Sequence, residues 1–237
     1  MRGRVIIAAA LLLGACAAVA QPVTLAVPRL ASLLEPDGSG IYQQLIGRAL
    51  ESMETEIDPG VYPYRRALRA FENGKTDCLV SLSDILKERH DEANLIYSYP
   101  LGRFAFHIFT PDDRPTVTSV EWLEGRRVGA IMGHEFYLDE VLDDHGELVW
   151  VRSEEQAVRM LERGRFEALI AAIPDIYPLL DGLRYAGDQP VLEGYDRVNC
   201  HDTPRNREFV ESLSEQLKAL KKEGVYQEIA GELYVPF

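Results

Sequence analysis

The chain has 237 residues, 46% of them hydrophobic, with 38 acidic against 25 basic side chains and a formal net charge of −13. This is an ordinary globular composition, long enough for one large domain or two small ones. Its acidity argues against nucleic acid as a partner, and an anionic ligand would need a few arginines converging locally.

Residues 1–20 read as a secretory signal. Arg2 and Arg4 precede an apolar run from Val5 to Leu13, too short for a membrane span, and Ala18-Val19-Ala20 fits a small-x-small cleavage site. Leu13-Gly14-Ala15-Cys16 also looks like a lipoprotein box, so lipidation at Cys16 is the alternative to simple cleavage. The expected location is the periplasm, free or membrane-anchored. Residues 1–20 hold two arginines and no acid, which leaves 23 basic against 38 acidic residues, a net of about −15.

Val23 to Val27 predicts a first inner strand, followed by a loop from Pro28-Arg29 to Gly40. Ile41, Leu45, Ala49 and Leu50 have helical spacing, Glu54 to Ile57 predicts a weak strand, and Pro59 to Pro63 a loop. In Arg66 to Val80, Ala67, Leu68 and Phe71 form a helix stripe, Gly74 supplies a left-handed stop, and Leu79, Val80 and Leu82 form a buried strand. The order is βαβαβ. Ser81 to Pro100 is charge-rich, with Glu88-Arg89-His90-Asp91-Glu92 at its centre, and reads as loop plus a short helix. Phe104, Phe106, Ile108 and Phe109 predict an aromatic strand, and Pro111 to Pro115 a linker.

A second βαβαβ series follows: Arg127 to Met132 as strand, Phe136 to Leu142 as helix, Val149 to Val151 as strand, then a helix capped by Ser153 and a strand at Ala168, Leu169 and Ile170. Its last unit, Gln156 to Ile170, repeats Arg66 to Val80 ninety positions on. Ala67/Ala157, Arg69/Arg159, Glu72/Glu162, Gly74/Gly164 and Leu79/Leu169 are identical. Two similar α/β lobes are therefore expected, lobe one at residues 21–108 with 200–237 and lobe two at 109–199. Asp175 to Leu180 predicts a helix and Tyr195 to Asn199 a returning strand. Amphipathic helices from Arg207 and from Val225 should pack on lobe one. Cys78 and Cys200 are either a structural disulfide or two buried thiols, since neither has CxxC spacing.

Pro63-Tyr64-Arg65-Arg66-Ala67, the Leu68 to Asp77 helix and turn, Tyr97-Ser98-Tyr99-Pro100 and Leu123-Glu124-Gly125-Arg126-Arg127-Val128-Gly129 occur in this order. In these runs the chain resembles the bacterial extracellular solute-binding protein family 3, over essentially its whole length after residue 20. The resemblance implies an α/β fold of the two-lobed type II periplasmic-binding-protein kind, with a ligand cleft between lobes joined by two crossover strands. It also implies hinge closure on a small-molecule solute, a monomer, and delivery to an ABC transporter permease, often for amino acids.

For the site, Gly133-His134-Glu135-Phe136 stands where a strand turns into a helix, and its free N–H groups suit an anion. Glu88-Arg89 matches the family's carboxylate-gripping pair, which makes Arg89 a candidate, with Arg29, Arg66 and Arg103 as rival cations. Ser81 and Ser83 end the third strand as hydrogen-bond donors. The family's ammonium-binding acid falls at Ala172 here, so Asp175 is the replacement.

No nucleophile elbow, HExxH, P-loop or Rossmann glycine run is present, and no motif calls for a metal or cofactor. A small polar solute, anionic or zwitterionic, is the expected ligand, and a non-enzymatic receptor the expected role. The alternatives are a sensing module without a transporter, or a lyase of the cyclohexadienyl dehydratase type on the same fold.

Overall fold

The short apolar runs become strands, and the computed structural model, which describes residues 21–89, 94–142 and 145–237, shows how they join. β1 (Val23–Pro28), α1 (Ile41–Leu50), β2 (Ile57–Tyr62), α2 (Tyr64–Glu72) and β3 (Cys78–Leu82) form the first series. α3 (Ser83–Arg89), β4 (Leu95–Tyr97) and the long β5 (Gly102–Pro111) follow. The second series is β6 (Arg127–Ile131), α4 (Glu135–Leu142), β7 (Glu147–Val151), α5 (Glu154–Glu162) and β8 (Ala168–Ile173). β9 (Leu183–Arg184), β10 (Leu192–His201), α6 (Pro204–Lys222) and α7 (Val225–Ala230) complete the chain. Residues 1–20, including Cys16, lie outside the described residues.

Strand order is β2-β1-β3-β10-β5-β8-β6-β7. The pairs within β2-β1-β3 and within β8-β6-β7 are parallel, while β5 and β10 join the two sets antiparallel. β10 pairs with β3 through residues 196–200 and with β5 through 192–196, so Asp196 stands where the strand changes neighbours. These two long strands are the crossovers of a two-lobed α/β fold. Cys78 and Cys200 face each other across β3 and β10 and are joined by a disulfide. α1 packs against both α6 and α7, which closes the outer side of the first series.

The repeated unit appears twice with the same ending. Gly74 and Gly164 both have φ +63°. In each copy the glycine N–H donates to the carbonyl three residues back, and the next N–H to the carbonyl five back: Gly74 to Phe71 and Lys75 to Ala70, then Gly164 to Leu161 and Arg165 to Met160. Those are the two bonds of a Schellman stop, which needs a left-handed residue that glycine adopts without strain.

Three elements depart from expectation. β2 runs through Pro59 and Gly60, where a loop was expected. Among the described residues it ends the sheet and pairs only with β1, so the missing Pro59 N–H breaks no second ladder. The expected helix from Asp175 shrinks to a 3₁₀ turn at Tyr177–Leu179. β4, three residues inside a polar segment, is held by β10 rather than by its own pattern.

Candidate ligand site between the lobes

The second series brings His134 and Tyr137 from the start of α4 and Asp175 from the end of β8 against residues of the first series and the crossovers. Tyr42 of α1, Tyr64 of α2, Ser81 of β3, Phe104 and Phe106 of β5 and Asp196 of β10 meet them. All of these side chains are buried. The rings of Phe104, Phe106 and Tyr137 surround His134 at centroid distances of 6.0, 5.2 and 6.2 Å. Tyr64 meets Tyr137 edge to face at 5.2 Å, and its hydroxyl shares a 2.6 Å hydrogen bond with Ser81 Oγ.

Tyr42 Oη donates to Asp196 Oδ2 at 3.0 Å. A glycine makes this approach available: a Cβ on Gly102, the strand partner of Asp196, would lie 2.5 Å from Tyr42 Oη. Burial pushes the Asp196 carboxyl up to about 7, against the Tyr42 hydrogen bond, which works to lower it. Asp175 is raised well above the carboxylate range, first by burial and then by the negative charges of Glu154 and Asp196. Burial lowers His134 to about 4. His134 Nε2 and Asp175 Oδ2 are 3.7 Å apart, close enough for an ion pair. Burial disfavours the charged form of both groups, so the contact joins two side chains whose neutral forms are favoured. His134 Nδ1 and Asp175 Oδ1 are both buried without a hydrogen-bond partner. The cluster thus holds unused hydrogen-bonding capacity inside an aromatic wall.

Of the residues singled out from sequence, Ser81, His134 and Asp175 come together here. Ser83 is buried close by, with its hydroxyl donating to the Tyr195 carbonyl. Two of the N–H groups at the α4 start, expected to face an anion, are taken internally, since Gly133 donates to Glu135 Oε2 at 2.7 Å and His134 to the Ile131 carbonyl at 3.1 Å. Arg29 and Arg66 are exposed, and Arg103 is paired with Glu193. The side chains of Arg89 and Phe136 lie outside the described residues. Tyr42, Tyr64, Tyr137, Phe104, Phe106 and Asp196 were not predicted as site residues. Tyr64 had a signal, as the aromatic of the Pro63-Tyr64-Arg65-Arg66 run. Asp196, an acid inside a strand, was the other available clue.

No family model and no curated protein matches the sequence. Solved structures do match it. The ligand-binding core of GluR0 in complex with L-glutamate superposes with a TM-score of 0.69 at 14% identity, covering 92% of this chain and 100% of that one. The chain has the type II periplasmic-binding-protein fold. A histidine kinase sensor domain similar to periplasmic binding proteins shares this fold (TM-score 0.65, 18% identity, 91% and 98% covered). So does an amino acid ABC transporter substrate-binding protein from Streptococcus pneumoniae bound to L-arginine (TM-score 0.63, 17% identity, 90% and 93% covered). In this fold the crevice at the strand carboxyl ends is the general place for a ligand, and that is where Ser81, His134 and Asp175 sit. The first and third of these neighbours are ligand-binding proteins. Among the described residues no helix is long and apolar enough to cross a membrane.

Proposed function

We propose that the chain is an exported solute-binding protein that captures a small zwitterionic or cationic solute by its protonated amine, closes two lobes over it, and delivers it to an ABC transporter permease. The lobes in this reading are residues 21–108 with 200–237 and residues 109–199, hinged through β5 and β10, and the protein works as a monomer. The observation that carries it is the carboxyl chemistry of the cleft: Asp175 Oδ1 is buried with no partner, and Asp196 lies in the same cluster beside Phe104, Phe106 and Tyr137. An ammonium group supplies the donors Asp175 lacks, favours its ionised form, and is attracted by aromatic faces. A purely anionic solute would meet these acids instead. Delivery to a transporter draws support from the arginine-bound transport protein of the same fold, and export from the pattern of residues 1–20.

A second reading, a sensing module without a transporter, is favoured by the histidine kinase sensor domain among the neighbours. It differs in the partner and not in the cleft.

The test is thermal unfolding of ligand-stripped protein against α-amino acids, simple amines and organic acids. A ligand at a hundred times its dissociation constant adds about 2.7 kcal/mol. Amine-bearing compounds should raise the midpoint, and Asp175→Asn should abolish the rise. A rise with amine-free acids alone would overturn the amine reading.

A further inference from the structure

A pocket outside the interlobe cleft has the opposite chemistry. It holds about 400 Å³ between the outer side of α2 and the sheet edge at β2, and Tyr62, Arg66, Arg69, Asn73, Lys75 and Thr76 line it. Arg66, Arg69 and Asn73 recur every three or four residues, so one helix stripe presents them together. Among the described residues no carboxylate lines the pocket. Neighbouring Asp77 is engaged elsewhere, accepting from the Thr24 N–H and hydroxyl and pairing with Arg205. Three cations thus line one pocket on a chain of net charge −13.

Thr76 supplies an independent observation. It is only 8% exposed, and its Oγ1 is buried with no hydrogen-bond partner. The equivalent position of the repeated unit ninety residues on is Phe166, buried and apolar, so the scaffold does not need a hydroxyl there. Burying an unpaired hydroxyl is unfavourable, and so is crowding like charges on one helix face. A bound oxyanion relieves both: it neutralises the cations, and a turn of the Thr76 side chain brings its hydroxyl, closed off from solvent in this structure, round to donate to it.

We infer that this pocket binds a phosphate-type oxyanion through Arg66, Arg69, Lys75 and Thr76, separately from the interlobe solute. Free inorganic phosphate and the phosphate of a lipid headgroup offer the same chemistry.

Calorimetric titration of the full chain with phosphate and pyrophosphate in chloride buffer of matched ionic strength, together with flotation on phosphatidylglycerol vesicles against phosphatidylcholine ones, tests it. Arg69→Gln combined with Lys75→Gln should weaken binding at least tenfold, and Thr76→Val several-fold. The anion-free thermal midpoint reports that each variant is folded. Binding of the soluble anions that falls in the variants supports the site with a free oxyanion. Binding only to phosphatidylglycerol that falls in the variants supports it with a headgroup. Binding unchanged in both variants, or no binding to any of these probes, overturns it.

Discussion

α2–β3 and α5–β8 are built on one plan and finished differently. Both have the same apolar stripe, the same glycine stop at φ +63° and a buried strand after it. In the second copy Ser153 caps the helix, accepting from the Gln156 N–H, and Glu154 and Glu155 occupy the first turn, where the helix dipole favours acids. In the first copy Pro63 stands at that position with no side-chain cap, and Tyr64, Arg65 and Arg66 fill the turn. Phe166 seals the second copy so closely that a Cβ on Gly129 would lie 2.4 Å from its ring, whereas Thr76 fills that place in the first. The apolar positions and the glycine are what the fold requires. The polar positions are free to diverge, and in the first copy they turn one end toward the cleft and one face into a cationic pocket.

The difference is open to measurement. Phe166→Ala removes the seal of the second copy and should cost about 3–5 kcal/mol in urea denaturation. A cost under about 1 kcal/mol would mean the two ends are equivalent. The disulfide belongs to the first copy alone, because Cys78 corresponds to Ala168. It closes a sequence separation of 122 residues, and the double change Cys78→Ala with Cys200→Ala should cost about 2–4 kcal/mol by the same method.

The cleft adds a pH signature. Asp196 is raised from 3.8 to about 7 in the folded chain, so its contribution to stability is full below about pH 4 and is lost as pH rises through 7. His134 is lowered from 6.5 to about 4, so its contribution is present above 6.5 and lost as pH falls through 4. Asp196→Asn should therefore gain stability relative to the parent as pH rises from about 4 to 7. Parallel curves for the two proteins would place Asp196 in water instead of the cleft. The smallest effect is expected at Thr76→Val, which removes an unpaired buried hydroxyl. Stability should stay within about 0.5 kcal/mol of the parent or rise, in contrast to Phe166→Ala at the matching position.

Much of this was legible before folding. Both βαβαβ series could be read, and the glycine stops follow from Gly74 and Gly164, because helix stripes and left-handed stops are local properties. Ser81, His134 and Asp175 were reachable as strand-end residues beside a cleft. Tyr42 was not, because its role depends on Gly102 sixty positions away leaving space for its ring and on Asp196 lying opposite. β2 was misplaced for a related reason: Pro59 is acceptable only at a sheet edge, and edges are defined by topology.

By itself, the sequence determined the two βαβαβ series, the internal repeat and the two-lobed α/β class, since hydrophobic period and glycine position act over a few residues. Only the tertiary structure decided that the cleft gathers carboxyls, an imidazole and aromatic rings, and that Arg66 turns outward with Arg69 and Lys75. Charge in a site is set by which distant side chains are buried together, and burial is a property of the packed chain.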